Sequence, residues 1–92
     1  GYWIASDKTF IIQWGHPVGV TMNANKDQCI GTITFPKPFT HACLGVIGSD
    51  AGGWGMSFGF YARSATGCTW CTAQGLGMAG INYSPTYVAF GW

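Results

Sequence analysis

With 92 residues, 48% of them apolar, 16% aromatic and only 8% charged, the chain makes one domain with too few charges to cover an isolated small surface. A domain this short buries about two-thirds of the surface its unfolded chain exposes, so the apolar excess points to surface shared with other chains. The net charge of +1 rests on the scattered Lys8, Lys26, Lys37 and Arg63, which excludes an electrostatic nucleic-acid face, and Gly, Ser and Asp interrupt every apolar run before it is long enough for membrane insertion as a helix.

No window carries the 3.6-residue spacing of an amphipathic helix, and 15 glycines oppose long helices. Residues 9–14 predict the first strand, with Phe10, Ile12 and Trp14 on one face and Ile11 and Gln13 on the other. Residues 30–35 predict a second, in which Ile33 and Phe35 share a face opposite Thr32 and Thr34; Pro36 and Pro38 end it. Residues 42–47 are apolar on both faces, the pattern of a strand buried on two sides. Residues 55–63 alternate, with Met56, Phe58 and Phe60 against Ser57, Tyr61 and Arg63. Residues 68–72 and 87–92 follow, the last with Val88, Phe90 and Trp92 on one expected core face. About six to eight short strands with Gly, Pro and Asn turns give an all-β class, an antiparallel sandwich in preference to a barrel. The long connections 16–28, 49–54 and 73–85 are natural places for binding residues.

Catalytic patterns are absent. Asp7, Asp27 and Asp50 stand apart in turn-like contexts, there is no Glu, and His16 and His41 each neighbour a turn. The glycine-rich "GSDAGGWG" lacks the lysine and helix of a phosphate loop. An enzyme is therefore not expected, nor a cofactor. Of the cysteines, Cys68 and Cys71 lie on opposite faces of a strand, and Cys29 and Cys43 are 14 residues apart, too far for a second zinc-binding pair. Free, metal-free thiols are the expectation.

Three segments in order carry a family resemblance. "GYWIASDKTFIIQWG" (1–15), "GTITFPKPFTHACLGV" (31–46) and the final "YVAFGW" resemble the C-terminal receptor-binding domain of bacteriophage tail fibres. The polar turn "WIASDKT" and the segment "TGCTWCT" depart from the family pattern. The resemblance implies that residues 1–92 are the distal tip domain of a longer fibre chain, a homotrimer in the virion, made in the host cytoplasm. It implies binding of a bacterial surface receptor, the saccharide of lipopolysaccharide foremost, with an outer-membrane protein or a purely structural trimerisation cap as alternatives, and it leaves room for a tail-fibre assembly chaperone as a partner. Trimerisation also offers Trp14 a place at a subunit contact, beside the alternative of a core position within one chain.

Residues between the matching segments supply rings and short polar groups suited to sugars. The receptor-binding candidates are Trp54, Tyr61, Arg63, Trp70, Asn82 and Tyr83, with segments 49–63 and 73–85 as the expected surface.

Overall fold

The first polar segment is folded by Asp7. Its carboxylate accepts hydrogen bonds from Thr9 N (3.1 Å) and Thr9 Oγ1 (2.7 Å), while Lys8 N donates to Ala5 O (2.7 Å). Those bonds, the hydroxyl's first, hold the Asp7 carboxyl below its usual range. The turn brings the chain back on itself as a pair of antiparallel strands, and the same logic of short turns repeats along the sequence. The computed structural model describes residues 1–25, 28–50, 55–75 and 77–92.

Among the described residues nine strands form: β1 (Tyr2–Ile4), β2 (Ile11–Gly15), β3 (Val20–Thr21), β4 (Ile30–Thr34), β5 (Cys43–Asp50), β6 (Phe58–Tyr61), β7 (Gly67–Thr72), β8 (Asn82–Tyr83) and β9 (Pro85–Gly91). All pairings are antiparallel, in a four-stranded sheet β1-β2-β9-β5, a three-stranded sheet β4-β7-β6 and a two-stranded sheet β3-β8. The count exceeds the expected range because β1, β3 and β8 are two or three residues long, too short for alternation to reveal.

The inner faces of the two larger sheets share one core. Ile11, Tyr87 and Ala89 come from the four-stranded sheet, and Ile33, Cys68 and Trp70 from the three-stranded one. Phe35 bridges them, packing edge-on against Phe39 (centroids 5.2 Å apart) and tilted against Tyr87 (6.3 Å). Trp70 is 0% exposed, meets Phe58 edge-on at 5.7 Å, and lies across Gly31, where any Cβ would collide with the indole.

Three strands depart from the sequence pattern. In β2 the buried face is Ile11 and Gln13, while Trp14 is 44% exposed, so the ring does not belong to this chain's core. Register carries the inversion across the sheet: Gln13 opposes Ala89, and Trp14 opposes Val88. In β9 the core therefore receives Tyr87 and Ala89, and Val88 and Trp92 face outward. Gly91 faces inward because Phe39 and the Ala42 carbonyl leave no room for a side chain there. β5 is likewise exposed on one side, with Leu44 outside and Ile47 64% exposed, rather than buried on two.

The deciding group is the Gln13 amide. Fully buried, it donates from Nε2 to Lys37 O (2.6 Å) and accepts at Oε1 from Lys37 N (2.9 Å). A buried amide with both ends paired is tolerated, and here it clamps the "PKP" turn onto the sheet.

Of the four free cysteines, Cys29 and Cys68 are buried. Burial, with a smaller contribution from Cys43, pushes the Cys68 thiol up to about 11, and the charge of Arg63 only partly offsets this. At pH 8 the thiolate fraction of such a group is on the order of a hundredfold below that of a free cysteine. Iodoacetamide at pH 8 is therefore expected to spare Cys68 in the native chain and to label it in guanidinium, as read by peptide mass spectrometry; equal labelling in both would contradict this burial.

Candidate functional site

The outer face of the sheet β4-β7-β6 is built by strict alternation. Ile33, Cys68, Trp70, Phe58 and Phe60 turn inward, which sends Thr32, Thr34, Thr69 and Tyr61 outward. Register aligns Tyr61 with Thr69 and Thr69 with Thr32, so one ring and two hydroxyls stand in a row across three strands. With strands about 4.8 Å apart the row spans roughly 10 Å. Below it lies the row Gly59, Cys71, Ile30. Tyr61 is 46% exposed, and Ala62 at φ 52° turns the chain immediately after it. Arg63 follows, exposed, with its charge felt at Cys43 and Cys68.

At the margin where β5 approaches β6, an open cleft of about 620 Å³ is lined by Gly48, Ser49, Asp50, Gly55, Ser57 and Phe58, together with Met56. The Asp50 carboxylate accepts a hydrogen bond from Met56 N (3.0 Å) and so closes one wall. Phe60 packs beneath, against Gly48. Apart from Gly48, its lining comes from the segment 49–63 expected to carry binding residues.

The five candidate residues that the structure describes are not brought together. Tyr61 and Arg63 share the end of β6, and both are exposed. Asn82 is exposed in β8, in a different sheet from Tyr61, with its amide against Gly19. Trp70 and Tyr83 are core residues: Tyr83 is 2% exposed and accepts at its hydroxyl from Met78 N (3.0 Å). Neither offers a surface to a receptor, because each fills space that the glycine-rich neighbours Gly31 and Gly77 leave for it. Trp54 lies outside the described residues. Thr32 and Thr69, which share the row of Tyr61, are not among the sequence candidates, although the alternation "IGTITF" marks Thr32 as outward; threonines on a strand read as ordinary surface until a ring is aligned with them.

The other large sheet is opposite in character. Its outer face carries the rows Trp3–Ile12–Phe90 and Trp14–Val88–Ile47, with Phe90 lying over Gly45. A run of apolar side chains this long is uncommon on the free surface of a small monomer. Among the described residues no three His, Cys, Asp or Glu side chains converge as metal ligands.

The described residues thus make an all-β antiparallel unit with one apolar and one hydroxyl-bearing outer face. The chain belongs to the family described as "Putative tail fiber protein gp53-like, C-terminal", which matches residues 6–92. It is similar to the R1 pyocin fibre of P. aeruginosa, with 28% identity and a TM-score of 0.75 over 99% of this chain and 25% of that one. An N-truncated R1-type pyocin tail fibre matches equally, with 28% identity and a TM-score of 0.75, over 78% of its own length. The R2 pyocin fibre of P. aeruginosa matches at 27% identity and a TM-score of 0.71, over 99% of this chain and 23% of that one. The chain thus spans about a quarter of the first of these fibres. No curated protein matches it.

Proposed function

We propose that this domain forms the receptor-binding end of a phage tail fibre, assembled as a homotrimer through the outer face of β1-β2-β9-β5 and recognising bacterial lipopolysaccharide through the outer face of β4-β7-β6. The observation that carries the reading is the contrast between those two faces. Trp3, Ile12, Trp14, Ile47 and Val88 need cover, and a second and third copy supply it symmetrically. The opposite face then points away from the assembly axis with Tyr61, Thr69 and Thr32 free to meet a ligand. A ring stacks on the C–H face of a sugar while hydroxyls bond its hydroxyl groups. The domain acts by binding, with no bond-breaking step, as part of a virion or a phage-tail-like particle whose chains are made in the host cytoplasm. A purely structural trimerisation cap is the second reading, since the apolar face alone accounts for it.

Lipopolysaccharide binding by the chain, scored with and without saccharide cleavage, tests the whole reading. Tyr61→Ala removes one contact worth on the order of 1 kcal/mol, roughly fivefold in single-site affinity. Three sites engaged together multiply that loss, so adsorption to cells is expected to fall by much more than fivefold with melting unchanged. Trp14→Asp paired with Ile47→Asp is expected to abolish trimers in sedimentation, because charges would enter the subunit contact. A parent mass of one 9.8 kDa chain would overturn the assembly, and undiminished adsorption by Tyr61→Ala would overturn the receptor face.

A further inference from the structure

A second pocket lies at the end of the four-stranded sheet, built entirely by residues that belong to the family-like segments. It encloses about 270 Å³ and is lined by Lys8, Thr9, Thr40, His41 and Trp92. It is more closed than the cleft beside β6, and its volume suits one sugar residue rather than a chain.

Its walls are held by backbone. His41 N and Ala42 N both donate to Trp92 O, at 2.8 and 3.2 Å, and Trp92 N returns a bond to Ala42 O at 3.1 Å. The His41 and Trp92 rings are thereby fixed at 5.0 Å between centroids, tilted by 46°, with Trp92 49% exposed. The opposite wall is the Asp7 turn, closed by Lys8 N to Ala5 O and by Ala5 N to Phe10 O at 2.9 Å. Lys8 sits in it at φ 62°, a conformation that glycine or asparagine adopts at less cost. The strain is tolerated at a residue that lines the pocket, and outliers of this kind collect at binding sites. The neighbouring Asp7 carboxylate takes hydrogen bonds from Thr9 N and Oγ1, and Lys8 brings a cationic side chain to the lining.

We propose that Lys8, Thr9, Thr40, His41 and Trp92 form a subsite for an acidic sugar, one bearing a carboxylate or phosphate group. The inference rests on the saccharide reading given above but uses a separate surface: Trp92 lies beyond the end of β9, outside the subunit contact proposed through Trp3, Ile12, Trp14, Ile47 and Val88. The indole stacks on the pyranose ring, the two threonine hydroxyls and the His41 ring meet its hydroxyls, and Lys8 pairs with the acidic substituent.

Two-dimensional NMR titration of the whole chain tests it, with glucuronic acid, glucose 6-phosphate, glucose and inorganic phosphate as probes. The acidic sugars are expected to shift the amide signals of Lys8, Thr9, Thr40 and His41 and the Trp92 indole signal, at least tenfold more tightly than glucose. Lys8→Asn, which suits the left-handed turn, is expected to melt no lower than the parent and to bring the acidic sugars down to the affinity of glucose. Tyr61→Ala is expected to leave the titration unchanged, which separates this site from the receptor face. Absence of shifts at tens of millimolar, an equal response to inorganic phosphate alone, or an acid preference that survives Lys8→Asn would each overturn the proposal. If lipopolysaccharide adsorption is lost in Tyr61→Ala while the sugar titration is silent, the general reading stands and this subsite falls.

Discussion

A chain ending at Ser84 is expected not to fold. β9 is an inner strand of its sheet, paired with β2 from Ile11↔Gly91 to Gly15↔Tyr87 and with β5 from Cys43↔Gly91 to Asp50↔Pro85. Removing it separates β1-β2 from β5 and leaves two ladders without partners. It also deletes Tyr87 and Ala89 from the shared core and takes away the backbone that ties residues 41–42 in place. One large buried side chain alone is worth about 3–5 kcal/mol, and a domain of this size has only about 5–15 kcal/mol in total. Circular dichroism and thermal melting read the result; a truncated chain that still melts cooperatively would contradict the central place of β9. Removing Trp92 only is a milder change: it costs a half-exposed side chain and its backbone bonds to residues 41–42 but leaves both β9 ladders paired.

Gln13 gives the second large effect. Gln13→Leu keeps the bulk but leaves Lys37 N and Lys37 O without their partners, and about 2–4 kcal/mol of stability should go with them. Gln13→Glu is more informative. A carboxylate there still accepts from Lys37 N but confronts Lys37 O, oxygen to oxygen, in a buried place. The protonated acid restores the donor, so the folded-state pKa is raised above the unfolded value of about 4.3. A raised pKa means that the variant's stability is highest below pH 4 and declines as pH rises through the interval between the unfolded and folded values. The parent, with a neutral amide, shows no such dependence from this position. Denaturant melts of both at pH 4 and pH 7 check the sign: a Gln13→Glu variant no less stable relative to parent at pH 7 than at pH 4 would show that the amide is not the clamp described.

Strand identity was readable along the chain because alternation is local. Phe58 and Phe60 against Tyr61, or Ile33 and Phe35 against Thr32 and Thr34, settle which side chains share a face with no knowledge of the rest, and the structure keeps those groupings. The all-β class follows from the same feature together with the glycines. Tyr61 and Arg63 as exposed residues were legible in this way too. Trp70 and Tyr83 were not, because a ring in "CTWC" or "INYS" looks the same in sequence whether it meets solvent or a glycine on the next strand; only the pairing of Gly31 with Trp70 shows that the indole has been given a place inside.

Which face of β2 and β9 turns inward was decided by tertiary structure alone. By hydropathy Trp14 outranks Gln13, and Val88 with Phe90 outranks Ala89 with Gly91. The chain inverts that ranking because Gln13 finds both partners on Lys37, a residue 24 positions away, and because Gly91 lets Phe39 and Ala42 close over it. A buried amide that is fully paired costs little, whereas a ring in the place of Gly91 would not fit. Alternation in the longer strands, the all-β class and the scarcity of charge are local properties of the sequence. Contacts distant in sequence chose the inner face, and that choice is what leaves Trp3, Trp14 and Ile47 outside and aligns Tyr61 with Thr69 and Thr32 on the opposite side.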